Sequence, residues 1–292
     1  MPAASRSHSL GGVARWPVGS AAAGVVRWTS DGDVVVAEQT GAVDAPFAWA
    51  SVTKLLVALA VLVAVEEGTL SLDDAAGPPG STVRHLLAHA SGLGPDDGQP
   101  LSAPGRRRIY SNVGYELLAQ LVSQSSGMPF SDYLRTGVVL PLHMTATELP
   151  PGSSPASGAR GPLGDLLKLG AELLAPRLVA ATTVASATSV AFPGLAGVLP
   201  GFGRFDPCDW GLGFEIRDAK TPHWTGTRNS PETFGHFGQS GSFLWVDPVA
   251  RVACAALCDR DFGPWARTAW PALADAVMGR WAPPSGPEAS GV

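Results

Sequence analysis

Eleven consecutive apolar residues, Leu55 to Val65, constrain this chain more than any other stretch of its sequence. A bilayer requires about 20 such residues, so the run is too short to span a membrane. It reads as a long apolar helix from about Ser51 to Glu67, stopped by Gly68. Just before the run sits Lys54, three positions after Ser51. Residues three apart on a helix share a face, so hydroxyl and amine come within reach of each other. The apolar run would desolvate Lys54, which disfavours its charged form and lowers its pKa. An amine so depressed can help take the proton of a serine, whose free hydroxyl is otherwise a weak nucleophile. The helix N-terminus also favours developing negative charge. Taken alone the spacing is weak, because an N-cap serine beside a snorkelling lysine would give the same pattern.

The 292 residues and 30.0 kDa suffice for a sizeable core, as one large domain or two interleaved lobes. "GVVRW" and "VVVAEQ" flank the turn "SDGD", which predicts a hairpin near the N-terminus. Short helices are predicted over "TVRHLLAHA", "SNVGYELLAQLVSQSSG", residues 132–139, 163–174 and, with threonines weakening it, 177–190. From Trp210 the character changes to strands: "WGLGFEIRD", "FGHFGQSGSFLWVD" and "RVACAALCD". A closing helix, "WARTAWPALADAVMGRW", is expected to break or kink at Pro271. Strands at both ends with helices between them suggest an α/β lobe over 1–78 plus 200–280 and an inserted helical lobe over 79–199. The tail 281–292 reads as disordered.

The formal net charge is −5, which disfavours nucleic acid, and Arg106-Arg107-Arg108 is too small a patch to reverse that. Cys208, Cys254 and Cys258 form no C-x-x-C pair, so neither a disulfide framework nor a zinc knuckle is indicated. With no apolar leader near the N-terminus, the expectation is a soluble, cytoplasmic chain with no membrane or nucleic-acid partner. His85 and His89 have the i, i+4 spacing that suits zinc, but no third ligand is in view, so no metal is expected. The segment 218–233, carrying His223 and Trp224, is a candidate substrate-facing loop.

Two further motifs follow Ser51-x-x-Lys54 in order: Tyr110-Ser-Asn112 opening a helix, and His236-Phe-Gly238 on a strand leading into Gln239 and Ser240. The ordered set resembles the serine β-lactamase-like and penicillin-binding-protein superfamily, in its branch of class C β-lactamases, DD-carboxypeptidases and β-lactamase-fold esterases. "FAWASVTK", "EEGTLSLDD", "VRHLLAHASGL" and "GHFGQSGSFLWVDP" resemble its connecting segments over roughly residues 47–259. The resemblance implies a β-lactamase/transpeptidase-like α/β plus α fold: an antiparallel sheet from the N- and C-terminal segments, flanked by helices.

It also implies that Ser51 is the acyl-accepting nucleophile, Lys54 its proton partner and Tyr110 the general base or proton shuttle. Asn112 would orient substrate and bind Lys54, and His236 would face a substrate carboxylate or support Tyr110. The N–H groups of Ser51 and Gln239 would form the oxyanion hole, with Gly238 and Ser240 beside the substrate. The expected function is a cofactor-free serine hydrolase acting on a small-molecule ester or amide, first as a carboxylesterase. The alternatives are a DD-carboxypeptidase, D-amino-acid amidase or weak β-lactamase, or, in another class, a non-catalytic ligand-binding scaffold. Oligomeric state is not fixed by the sequence.

Overall fold

A computed structural model describes residues 8–282. The predicted hairpin forms as strands β1 (Ala21–Trp28) and β2 (Val34–Gly41). The apolar run forms α1 (Thr53–Glu66), preceded by the two-residue strand β3 (Phe47–Ala48) and a 3-10 turn over Ala50–Val52. Next come α2 (Val83–Leu87), α3 (Asn112–Ser126), α4 (Phe130–Leu134), β4 (Arg160–Gly161), α5 (Leu163–Leu174) and α6 (Ala181–Ala187). The small hairpin β5 (Gly197–Leu199) and β6 (Gly203–Phe205) precedes β7 (Glu215–Ile216), β8 (Phe234–Gly238), β9 (Ser242–Asp247), β10 (Val252–Cys258) and α7 (Pro264–Trp281).

The main sheet has the order β2-β1-β10-β9-β8-β7, antiparallel throughout. It therefore joins the two ends of the chain, and β1 of the N-terminal hairpin lies directly beside β10. α5 covers one face of the sheet at close range. A Cβ on Gly24 of β1 would lie 2.7 Å from the Leu167 side chain, so the helix needs a residue without one there. α7 packs on the opposite face through Ala266, Trp270, Leu273 and Val277.

α1 is buried all round, with every residue from Thr53 to Ala64 inside the protein. Full burial of each Leu or Val side chain contributes about 1.5–3 kcal/mol, so this helix anchors the interior. α3, α4 and β8 pack against it.

Two sequence expectations need correction. Of the break or kink expected at Pro271, the break does not occur, and the helix runs on to Trp281. The Arg177–Val190 helix shrinks to the seven residues of α6, as its threonines and flanking Pro176 suggest. Of the tail expected from residue 281, Trp281 is the last helical residue, and 283–292 lie outside the described residues. Among the described residues no helix is long and apolar enough to cross a membrane.

Candidate active site

Ser51 sits on the 3-10 turn two residues ahead of α1, not within the helix proper. The preceding residue, Ala50, has φ 43°, a left-handed conformation costly for a residue with a Cβ. This sharp entry separates the Ser51 hydroxyl from the helix axis and keeps it at the surface of a pocket. The tip of β8 closes on the same turn. A Cβ on Gly238 would lie 2.4 Å from the Trp49 carbonyl oxygen and 3.0 Å from the Ala50 Cβ. Glycine is required there for the third motif to approach the nucleophile. Ser242 fastens the contact by donating to the Trp49 carbonyl at 2.7 Å.

Lys54 has no exposed surface. Its Nζ lies 3.2 Å from Ser51 Oγ, 2.7 Å from Asn112 Oδ1 and 2.9 Å from the Ala156 carbonyl oxygen. Burial holds its pKa down at about 7, although Asp96 and Glu116 pull the other way. A neutral amine has two N–H groups and one lone pair. The Asn112 and Ala156 oxygens can accept the two N–H groups, which leaves the lone pair for the proton of Ser51. Asp96 in turn fixes Asn112 by accepting from its Nδ2 at 2.7 Å.

The Tyr110 ring lies over the amine, whose Nζ is 4.8 Å from the ring centroid. Burial pushes its phenol well above the ordinary value, while a hydrogen bond with Ser51 works against that rise. At neutral pH Tyr110 is therefore a neutral phenol, suited to passing a proton rather than to acting as a standing base. His89 backs the same ring, with centroids 4.6 Å apart, and its Nδ1 accepts the Ser111 N–H at 3.1 Å. His85 and His89 do not share a helix face as their spacing suggested. α2 ends at Leu87, and His89 turns out with φ 53°. His85 instead pairs with Thr82 and stacks on Phe192.

His236 is buried, and burial beside Lys54 drives its pKa down to about 3. Its Nδ1–H donates to the Phe237 carbonyl at 2.7 Å, leaving a neutral ring. Among the described residues, neither the Ser51 nor the Gln239 N–H donates to a carbonyl in the turns around the site. Ser51, Tyr110, Asn112, His236 and Gln239 line one cavity of about 200 Å³. Lys54 lies beneath it. Gly238 and Ser240 serve as braces, with the Ser240 hydroxyl donating to the Ala48 carbonyl at 2.7 Å.

The cavity walls also include Leu199, Pro200, Trp210, Phe237 and Glu215, none of which was singled out from the sequence. Glu215 is the centre of a buried polar cluster. Its carboxylate accepts from Lys220 at 2.7 Å, from Trp224 Nε1 at 3.0 Å and meets His223 Nε2 at 2.9 Å. The loop 218–233 therefore turns His223 and Trp224 inward onto Glu215 rather than toward a substrate. A charged residue inside the apolar strand "WGLGFEIRD" was the available signal. Among the described residues no group of three His, Cys, Asp or Glu is placed to hold a metal ion.

Comparison with known proteins bears on the family and the fold. The family pattern described as beta-lactamase matches residues 17–278. A crystal structure of a beta-lactamase from Mycobacterium bovis superposes with a TM-score of 0.91 at 51% identity, covering 94% of this chain and 100% of that one. A penicillin-binding protein of Bacillus subtilis (strain 168) is 31% identical over 137 residues, 35% of this chain and 30% of the relative. A putative D-alanyl-D-alanine carboxypeptidase of Escherichia coli O157:H7 is 25% identical over 55% of this chain and 47% of its own length. The chain thus spans less than half the length of these two curated relatives. With one family pattern covering nearly all of the described residues, the chain belongs to the beta-lactamase family of serine hydrolases.

Proposed function

We propose that Ser51 is the nucleophile of an acyl-enzyme mechanism and that the preferred substrate is an ester without a free carboxylate beside the scissile bond. The observation that carries the first part is the fixed environment of Lys54. With the Asn112 and Ala156 oxygens placed to accept two N–H groups, an amine 3.2 Å from Ser51 Oγ can, once neutral, turn its lone pair to that hydroxyl. Ser51 Oγ attacks the carbonyl carbon as its proton passes to Lys54. The oxyanion is met by the N–H groups of Ser51 and Gln239, each such donor being worth about 3 kcal/mol. The C–O bond breaks as Tyr110 relays a proton to the departing oxygen. Water then attacks the acyl-enzyme carbonyl, and the same relay, run in reverse, frees the acid and restores Ser51.

The preference against a carboxylate beside the scissile bond rests on His236. Its pKa of about 3 leaves it uncharged, and among the described residues the lining holds no other cation. A free carboxylate next to the reacting bond would find no partner there. The second reading, a DD-carboxypeptidase or amidase, is favoured by the D-alanyl-D-alanine carboxypeptidase among the relatives. One preparation assayed on p-nitrophenyl esters, nitrocefin and a D-alanyl-D-alanine peptide separates the two. Ester turnover well above peptide turnover supports the first reading. Turnover of the peptide alone sinks it.

A further inference from the structure

Tyr110 and Pro200 line two cavities: the catalytic pocket and a larger groove of about 700 Å³. The groove runs between the loop 101–110 and the β5–β6 hairpin. Leu101, Ile109 and Val198 give it an apolar lining, and Leu101 and Val198 are 51% and 57% exposed. Arg106, Arg107 and Arg204 also line it, and among the described residues none of them pairs with a carboxylate. Arg107 donates to the Leu101 carbonyl at 2.7 Å, whereas the side chains of Arg106 and Arg204 are exposed and have no hydrogen-bond partner among the described residues.

Exposed arginines are ordinarily solvated, but this set stands on a preformed frame. The buried Arg108 ties the two walls together. Its backbone N–H donates to the Ala196 carbonyl at 2.8 Å. Its guanidinium donates to the carbonyls of Ala88 at 2.7 Å, Phe192 at 3.0 Å and Cys208 at 3.1 Å. Gly197 permits this closeness, since a Cβ there would lie 2.4 Å from the Arg108 Cβ. The groove is therefore shaped before any ligand arrives, so little ordering opposes binding.

From this geometry we infer that the groove receives the leaving-group arm of the substrate, and that this arm is apolar and ends in an anionic head held by Arg106 and Arg204. The inference rests on the Ser51 reading above. Tyr110, which would hand the proton to the departing oxygen, stands with Pro200 at the junction of pocket and groove, so the leaving group lies on the groove side. Breaking the ester bond leaves the acyl group on Ser51 and a neutral hydroxyl on the departing alcohol, with its anionic head still in the groove. Guanidinium forks match carboxylate and phosphate alike, so an organic anion of either kind is the ligand chemistry.

Phenyl butyrates carrying a para propyl, para carboxyethyl or para phosphonoethyl group test this, because all three give one acyl-enzyme. The kcat/KM of at least one anionic ester should exceed that of the propyl ester by about tenfold or more at low salt. The better anion identifies the head group. In the Arg106→Glu/Arg204→Glu double variant that ratio should collapse to about one or below. Anionic esters no better than the neutral one, or a ratio unmoved by the double variant, would overturn the proposal. Binding of the free para-carboxyethyl and para-phosphonoethyl phenols to Ser51→Ala protein, followed by calorimetry, decides the groove without catalysis. At least one should bind, and charge reversal at Arg106 and Arg204 should weaken it about tenfold. No binding, or equal binding in both backgrounds, contradicts the inference. Silence of the wild type toward all three esters sinks the Ser51 reading instead.

Discussion

The Lys54 amine lies 3.2 Å from the Ser51 hydroxyl while two other oxygens, Asn112 Oδ1 and the Ala156 carbonyl, stand at 2.7 and 2.9 Å. A side chain with this environment and no solvent is built for one protonation change. The fold makes that environment by placing the first motif at the mouth of the most buried helix and by closing β8 over it.

Replacing Lys54 by Met should lower kcat/KM about a thousandfold, the middle of the range for losing a general base. The fold should survive. Met fills much the same volume, and no charged group has to be kept in the interior. A melting temperature equal to or above that of the wild type, measured with the kinetics on one preparation, is the expected pair of results.

The pH dependence follows from the sign of the Lys54 shift. The amine is the proton acceptor only when neutral, and its pKa is held down at about 7. The logarithm of kcat/KM should therefore rise with unit slope below pH 7 and level off above it. His236, with a pKa of about 3, adds no second limb between pH 5 and 9. A profile still climbing at pH 10 would show that Lys54 keeps its ordinary affinity for the proton.

Gly238→Ala should cost about 1–3 kcal/mol of stability, the usual price of forcing a methyl group into closed space. Its Cβ would lie 2.4 Å from both the Trp49 carbonyl and Ser242 Oγ. Because those atoms frame the nucleophile, activity should fall further than stability. Urea melts and ester kinetics on the variant measure both.

Much of this was legible in the residues. The hairpin was announced by its Asp-Gly turn, α1 by its unbroken apolar run, and α5 by apolar spacing that matched its observed limits. The three motifs converge because each lies at the end of an element, where sequence patterns are sharpest. Backbone partners were invisible. Ala156 meets Lys54 through a carbonyl oxygen, which carries no side-chain signal. Positive φ at Ala50 and His89 is equally silent, and the second of these ended α2 two residues before the histidine it was expected to include. Glu215 was hidden for another reason. Its partners Lys220 and His223 lie in a loop whose inward turn depends on tertiary packing.

That cluster yields its own prediction. Burial opposes ionisation of Glu215, but His223 and Lys220 outweigh it and bring the carboxyl down from 4.5 to about 2. A carboxyl depressed in the folded state contributes stability that is complete above its unfolded pKa and is lost as pH falls toward 2. Glu215→Gln would leave the Lys220 ammonium, 1% exposed, without its counter-charge. The expected cost at pH 7 is about 3–5 kcal/mol, and the gap to the wild type should narrow between pH 4.5 and 2. Denaturant melts across that interval supply the check.

If Ser51 is the residue that becomes acylated, an electrophile that mimics the acyl-transfer intermediate should capture it covalently. After exposure to a fluorophosphonate, intact-mass measurement should show one adduct, and peptide mapping should place it on the peptide carrying Ser51. Two other serines of the motifs serve as internal controls. The Ser111 hydroxyl caps α3, accepting from the Gly114 N–H at 3.1 Å and donating to the Gly94 carbonyl at 2.7 Å, and Ser240 is bonded to Ala48. The account predicts a single adduct that Ser51→Ala abolishes without loss of melting temperature and Lys54→Met slows about a thousandfold. An adduct on Ser111 or Ser240, or a folded wild-type protein that takes no label, would contradict it.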